Sequence, residues 1–203
     1  MASKKKFTTP IGTALYPRIN SADFKFKTEG IYSADIRIPF EEAKELLRAL
    51  GEVEKEHTGS TSSSKFPDKT DMKSLWYFER DEEGTIDKNN VVLRLRAKNV
   101  IKNNGDLWDR RPAVFDSNLN RVDMSSTDAP KIGGGSKLRV SFEAECYTGK
   151  KGNGMRLVPK AVQLVSLVEY SSGEDPQDFG FSEEEGFSLV SKNNESDDDS
   201  SFF

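Results

Sequence analysis

Residues 137–146 carry the best-defined pattern in the chain, a strict alternation of apolar and polar side chains. A period of two predicts a strand with one buried face. A glycine-rich segment follows at 149–154, and the chain continues through a Leu- and Val-rich stretch at 155–170. Two strands around a glycine loop predict a long hairpin. Its apolar face is predicted to hold Leu138, Val140, Phe142, Ala144 and Cys146, and its polar face Lys137, Arg139, Ser141, Glu143 and Glu145.

Similar patterns precede this hairpin. Residues 31–38 and 91–98 also alternate, residues 74–80 are aromatic, and the Asn-Asn-Gly-Asp sequence at 103–106 indicates a hairpin turn. Residues 40–57 instead repeat apolar side chains every three or four positions, which predicts one amphipathic helix. Short strands with one inserted helix favour a mainly β chain: a five-stranded Greek-key barrel of the oligonucleotide/oligosaccharide-binding (OB) type.

The charge is divided unevenly along the chain. Residues 171–203 contain ten acidic residues and one basic residue, so of the net charge of −4 this segment carries −9 and residues 1–170 carry +5. We therefore predict two parts, an OB-fold domain at 1–170 and an acidic tail at 171–203 that is too charged to fold alone. A basic domain suits a polyanionic ligand. The basic start, residues 1–6, is interpreted either as a disordered terminus or as an arm that touches phosphates.

The residue types argue against an enzyme. One histidine and one cysteine offer no His/Cys cluster for zinc and no nucleophile–histidine pair. A glycine run at 133–135 is followed by Ser-Lys and a strand, whereas a phosphate-binding loop needs Lys-Ser and a helix. We expect these glycines to form a turn or a close backbone approach, and we expect no cofactor and no metal. A single cysteine on an apolar face indicates a reducing compartment, and no apolar run is long enough to span a membrane.

Cations and aromatic rings together favour binding of single-stranded nucleic acid. Cations displace condensed counterions from phosphates, and rings stack on any base without sequence preference. The alternative is a solvated strand face for the cations and burial for the rings. The predicted phosphate contacts are Arg94, Arg96, Lys98, Lys137, Arg139, Lys150 and Lys151; the predicted stacking rings are Tyr147 and Trp108, with Tyr77 as a further candidate.

The last residues of the tail combine acids with rings. Asp197, Asp198 and Asp199 are followed closely by Phe202 and Phe203. Because acids mimic phosphates and rings mimic bases, this peptide is predicted to compete for the nucleic-acid groove. The same features would also suit docking on a basic, apolar pocket of a partner protein.

Four segments, residues 11–14, 31–39, 131–147 and 155–169, match a known family, most specifically through Ile-Gly-Gly-Gly-Ser-Lys-Leu-Arg-Val at 132–140. The chain resembles the single-stranded DNA-binding proteins of short-tailed phages of the autographivirus (podovirus) type. Tyr147 falls where that family carries an aromatic residue before its hairpin loop, and Gly149 stands where the family has another.

The resemblance implies an OB fold, sequence-independent coating of single-stranded DNA, strand annealing, and a part in phage DNA replication, recombination and repair. It also implies a homodimer, a tail that recruits the phage DNA polymerase and the primase–helicase, and a location in the cytoplasm of the infected bacterium. The competing hypothesis is a protein-interaction or virion structural module that does not bind DNA.

Overall fold

Eleven strands and one helix make up the part of the chain that the structure, a computed structural model, describes: residues 4–25, 27–59, 66–71, 74–103, 106–149 and 152–170. In chain order the elements are β1 (Lys4–Thr8), β2 (Gly12–Asp23), β3 (Ile31–Pro39), α1 (Phe40–Thr58), β4 (Trp76–Tyr77), β5 (Asn90–Lys98), β6 (Val100–Asn103), β7 (Asp106–Asp109), β8 (Ala113–Phe115), β9 (Arg121–Val122), β10 (Lys137–Gly149) and β11 (Gly152–Ser166).

The backbone pairing of five strands closes a ring. β10, β2, β3, β5 and β11 are neighbours in that order, and β11 pairs again with β10. The pairing of β5 with β11 is parallel, with Leu95 opposite Leu157, and the other four pairings are antiparallel. A closed five-stranded ring in this order, with α1 inserted between β3 and β5, confirms the predicted OB-fold class.

The β10–β11 hairpin supplies the centre of the core. All five residues of its predicted apolar face are buried, and Phe142 lies among the largest fully buried side chains. The inward residues of β3 and β5, such as Ile36 and Leu93, complete the same cluster. Cys146 is buried as the sequence predicted, and burial raises the pKa of its thiol.

Within residues 137–145, the polar face of β10 is exposed only at its start. Lys137 and Arg139 face solvent, but Glu145 is buried and accepts hydrogen bonds from Arg110 at 2.9 Å and from Arg156 at 2.8 Å. Burial by itself raises the pKa of Glu145, but the hydrogen bonds and charges of the two guanidinium groups outweigh it, so that the pKa lies below its usual value. These contacts attach the segment after β7 to the barrel.

Helix α1 packs against the barrel through one apolar stripe. Leu50 and Val53 are buried and Leu46 and Leu47 are partly buried against the core, at the three- and four-residue spacing that the sequence predicts; Ala43 is buried as well. The helix ends where Gly59 takes a left-handed conformation and donates its N–H to a carbonyl of the last turn. Within the described residues, no helix has the length and apolar character that a membrane crossing requires.

From Lys4 on, the basic start of the chain is a strand rather than a disordered arm. β1 pairs antiparallel with β10, from Lys4 opposite Glu145 to Thr8 opposite Ser141. Its one aromatic side chain, Phe7, stacks on Phe142 with the ring centroids 5.8 Å apart. Lys4, Lys5 and Lys6 therefore extend the sheet beside the hairpin.

The glycine run brings two backbones into contact. Gly133 donates its N–H to the carbonyl of Val168 at 2.8 Å, and Tyr170 donates to the carbonyl of Lys131 at 2.8 Å. Gly135 has a φ of 93°, which L side chains rarely adopt. Both sequence interpretations of these glycines, a turn and a close approach, are confirmed.

Replacement of Gly133 by alanine is expected to lower the free energy of unfolding by about 1–3 kcal/mol. The added Cβ would lie 2.8 Å from the nitrogen of Tyr170 and 2.9 Å from the carbonyl oxygen of Val168, and neither backbone atom can rotate away. Gly134→Ala is the matched control, because its Cβ would have no neighbour closer than 3.9 Å. Urea unfolding of both variants measures the difference; equal stabilities would contradict the close approach.

Candidate nucleic-acid interface

The predicted row of cations lies on the outward side of β5, but its members have different surroundings. Arg94 donates to the carbonyls of Lys69, Asp71 (2.5 Å) and Ser74 (3.1 Å). Its guanidinium group also lies over the ring of Tyr77, at 4.7 Å from the centroid. Arg94 therefore holds the segment before β4 onto the barrel.

Arg96 and Lys98 form surface ion pairs. Arg96 donates to the carboxylate of Asp35 on the neighbouring strand, and the ammonium group of Lys98 lies 3.0 Å from the carboxylate of Glu29. Pairs of this kind contribute about 0–1 kcal/mol in water, because screening and side-chain entropy offset the attraction. A phosphate group can therefore take the place of the exposed Glu29 carboxylate at low cost, whereas the Asp35 side chain is only 16% exposed and its replacement costs more.

Tyr77 is buried beneath this surface, with 3% of the residue exposed. Burial raises the pKa of Tyr77 to about 12, and the carboxylates of Asp35 and Glu79 act in the same direction. The phenol is therefore neutral at physiological pH, and the ring packs under Arg94. Tyr77 therefore does not offer a free ring face to a base, contrary to the prediction from the sequence.

The hairpin supplies a second group of predicted residues. Arg139 is exposed, and Lys137 donates to the hydroxyl of Thr13 at 2.7 Å. Tyr147 is 48% exposed, and its ring covers Gly154, where a Cβ would come within 2.5 Å of the phenol oxygen.

A contact between helix α1 and the hairpin holds the backbone of Tyr147. The Nε2 nitrogen of His57, at the end of α1, lies 3.1 Å from the carbonyl oxygen of Tyr147. Because a carbonyl only accepts, Nε2 donates in this contact. His57 therefore connects the end of α1 to the hairpin.

Other predicted residues are described in part or not at all. Trp108 lies in β7 with its backbone opposite Ile101, which confirms the predicted hairpin there, and its side chain is outside the described part. Lys150 and Lys151 lie outside the described residues. So do the tail residues Asp197, Asp198, Asp199, Phe202 and Phe203.

The structure does not bring the two groups of cations side by side. The β5 row and the β10 residues lie on different strands of the ring, with β11 between them on one side and β2 and β3 on the other. A ligand that contacts both groups has to follow the outside of the barrel rather than sit in one pocket. In the described ranges, no three His, Cys, Asp or Glu side chains are grouped so as to hold a metal ion.

Several exposed rings in the described part of the chain were not predicted as stacking residues, and Tyr16 is the most exposed of them. Tyr16 lies in β2, is 84% exposed and has a φ of 46°. A non-glycine residue in the left-handed region costs about 1–3 kcal/mol of strain. The ammonium group of Lys69 lies over its ring, 5.9 Å from the centroid. The one available sequence signal was Pro17, since proline inside a strand pattern marks a bulge or an edge.

Replacement of Arg94 by alanine is expected to lower the free energy of unfolding by about 2 kcal/mol, because three carbonyls lose a charged donor. The matched control is Arg96→Ala on the same strand, where loss of a surface ion pair should cost less than about 1 kcal/mol. Thermal and urea unfolding measure both variants. Equal effects would show that Arg94 is as dispensable to the fold as Arg96.

Comparisons with known proteins agree with this architecture. No protein-family model matches the chain. No curated protein matches it either. Among solved structures, gp2.5, a single-stranded DNA-binding protein encoded by bacteriophage T7, is 22% identical, with a TM-score of 0.61 over 93% of this chain and 100% of that one.

A second phage protein has the same architecture. The single-stranded DNA-binding protein of bacteriophage Enc34 is 12% identical, with a TM-score of 0.55 over 87% of this chain and 90% of that one. Its complex with single-stranded DNA matches at 12% identity, with a TM-score of 0.54 over 81% of this chain and 88% of that one. The chain therefore has the fold of phage single-stranded DNA-binding proteins, as its sequence resemblance implies.

Proposed function

We propose that the chain binds single-stranded DNA without sequence preference and does not act as an enzyme. The observation that carries the proposal is its fold, shared with a phage protein solved in complex with single-stranded DNA over 81% of this chain. The outward faces of β3 and β5 are the surface on which OB folds bind oligonucleotides. In this chain that surface bears Arg96 and Lys98, whose carboxylate partners a phosphate can replace.

Binding of DNA to this surface is an exchange of anions. Phosphates displace the carboxylates of Asp35 and Glu29 from their cations and release condensed counterions into solution. The contact extends to the hairpin through Lys137 and Arg139 on β10. The sequence adds two further lysines in the hairpin loop, Lys150 and Lys151. Arg94 acts through the segment it holds. Bases stack on Tyr147 and Trp108, which accept any base.

The wider role follows from the sequence resemblance. We propose that the chain acts in phage DNA replication, recombination and repair in the cytoplasm of the infected bacterium, that it promotes strand annealing and that it forms a homodimer. Its tail, residues 171–203, would recruit the phage DNA polymerase and the primase–helicase through Asp197–Asp199 and the two terminal phenylalanines. Support for these partners comes from the composition of the tail. Acidic residues beside phenylalanine rings suit a basic, apolar pocket on a partner protein.

Affinity for single-stranded DNA is expected to fall with salt, with a slope of log K against log salt of about −3 if roughly four phosphates are neutralised. The measurement is a fluorescence-anisotropy titration with a homopolymer oligonucleotide at several salt concentrations. The duplex of the same length is the control, and it should bind more weakly because its bases are not free to stack.

Each outcome of that titration is informative. A slope near zero would contradict the role of the cations, and equal binding of duplex and single strand would contradict the stacking. Absence of binding at low salt would instead favour the competing hypothesis, a protein-interaction or virion structural module.

Deletion of residues 195–203 is expected to tighten DNA binding at low salt, because it removes an anionic peptide that competes for the same cations. The matched control keeps the length of the tail and replaces Phe202 and Phe203 by serine, which separates the rings from the charge. Unchanged affinity after the deletion would rule out competition by the tail and leave partner docking as its role.

A further inference from the structure

Tyr16 combines high exposure, a strained backbone and a neighbouring cation. We propose that Tyr16 is a base-stacking residue of the DNA-binding surface, held outside the barrel by a bulge in β2. The inference rests on the proposed function, since it names a contact for the same ligand. No position in residues 11–19 was selected as a stacking site from the sequence.

The bulge changes which residues of β2 face the core. Gly12 and Ala14 are buried, so strict alternation would turn position 16 inward next. Leu15 pairs with Asp35 of β3, and the next paired residue, Arg18, is opposite Ser33. Three residues of β2 therefore span the length of two residues of β3. The extra residue returns Ile19 to the core and leaves Tyr16 outside. The bulge turns a large ring into solvent, where burial does not offset the backbone strain at Tyr16. Strain of this kind is often found at functional positions.

The neighbourhood of Tyr16 supplies the other part of a nucleotide site. Lys69 has its ammonium group over the ring, and the segment that carries Lys69 is held by Arg94. Stacking of a base on a tyrosine ring contributes about 1–3 kcal/mol, whereas an exposed cation–π contact contributes about 0.5–1 kcal/mol. A base can therefore displace the Lys69 ammonium group from the ring. The displaced ammonium stays beside the stacked base, within reach of a backbone phosphate. Arg18, also exposed, adds a second cation on β2, the strand that carries Tyr16.

Tyr16 also borders the surface proposed for DNA. Its neighbour Leu15 lies opposite Asp35 of β3, the residue that accepts a hydrogen bond from Arg96 of β5. On its other side lies the glycine run, where Gly135 donates to the carbonyl of Ala14 at 3.0 Å. Glycine there has no side chain to cover the ring. A single strand that contacts Arg96 can therefore place a neighbouring base on Tyr16.

The test uses the backbone conformation to separate folding from binding. Tyr16→Gly removes the ring but suits a φ of 46°, so this variant should be at least as stable as the wild type in thermal unfolding. Its affinity for an oligo(dT) strand should fall about 5- to 100-fold, the usual effect of losing one stacked base. Tyr16→Phe keeps the ring and should bind as the wild type does.

The matched control is Leu119→Gly. Leu119 also has a positive φ, 67°, and is 70% exposed, but it lies in the turn between β8 and β9 and carries no ring. This variant should gain stability in the same way and keep its affinity. Wild-type affinity in Tyr16→Gly, or an equal loss in Tyr16→Phe, would overturn the stacking role while the proposed function stands. If the wild-type chain itself does not bind oligo(dT), the proposed function fails first.

Discussion

Strand β10 forms backbone hydrogen bonds with β1, β2 and β11, and its inward side chains lie at the centre of the barrel. Its pairing with β2 closes one side of the ring, and its pairing with β11 brings β5 into position on the other. Burial of Phe142 and its neighbours is therefore coupled to closure of the whole sheet. Because the barrel has no open edge between these strands, their outward faces keep a constant geometry.

The outward faces use charge in two ways. Glu145 and Arg94 form hydrogen bonds that attach the segments after β7 and before β4 to the barrel. Arg96 and Lys98 are paired with carboxylates at the surface, where attraction is screened. The first kind of contact stabilises the scaffold, and the second kind is exchangeable with an anionic ligand. A basic strand thus contributes both to the fold and to the proposed binding surface, depending on which arginine is considered.

Local patterns in the sequence predicted much of the fold. The alternation at 137–146 identified the buried face of β10, and the three- and four-residue spacing identified α1 within one residue of its end. The position of the cation row on β5 was also predicted, because side chains at a spacing of two share a face. The partners of that row were not. Asp35 and Glu29 are remote in sequence from Arg96 and Lys98, and Arg94 finds its carbonyls in a loop without a clear pattern.

The sequence by itself determined the strand and helix periods, the apolar face of the hairpin and the division of charge between domain and tail, since each depends on neighbours along the chain. Only the tertiary structure decided which polar groups are available to a ligand. Tyr77 became buried under Arg94, Glu145 became enclosed by two arginines, and Tyr16 was turned outward by one extra residue in β2. The physical reason is register: pairing between distant strands sets which side chains meet, and a shift of one residue reverses the face on which a side chain lies.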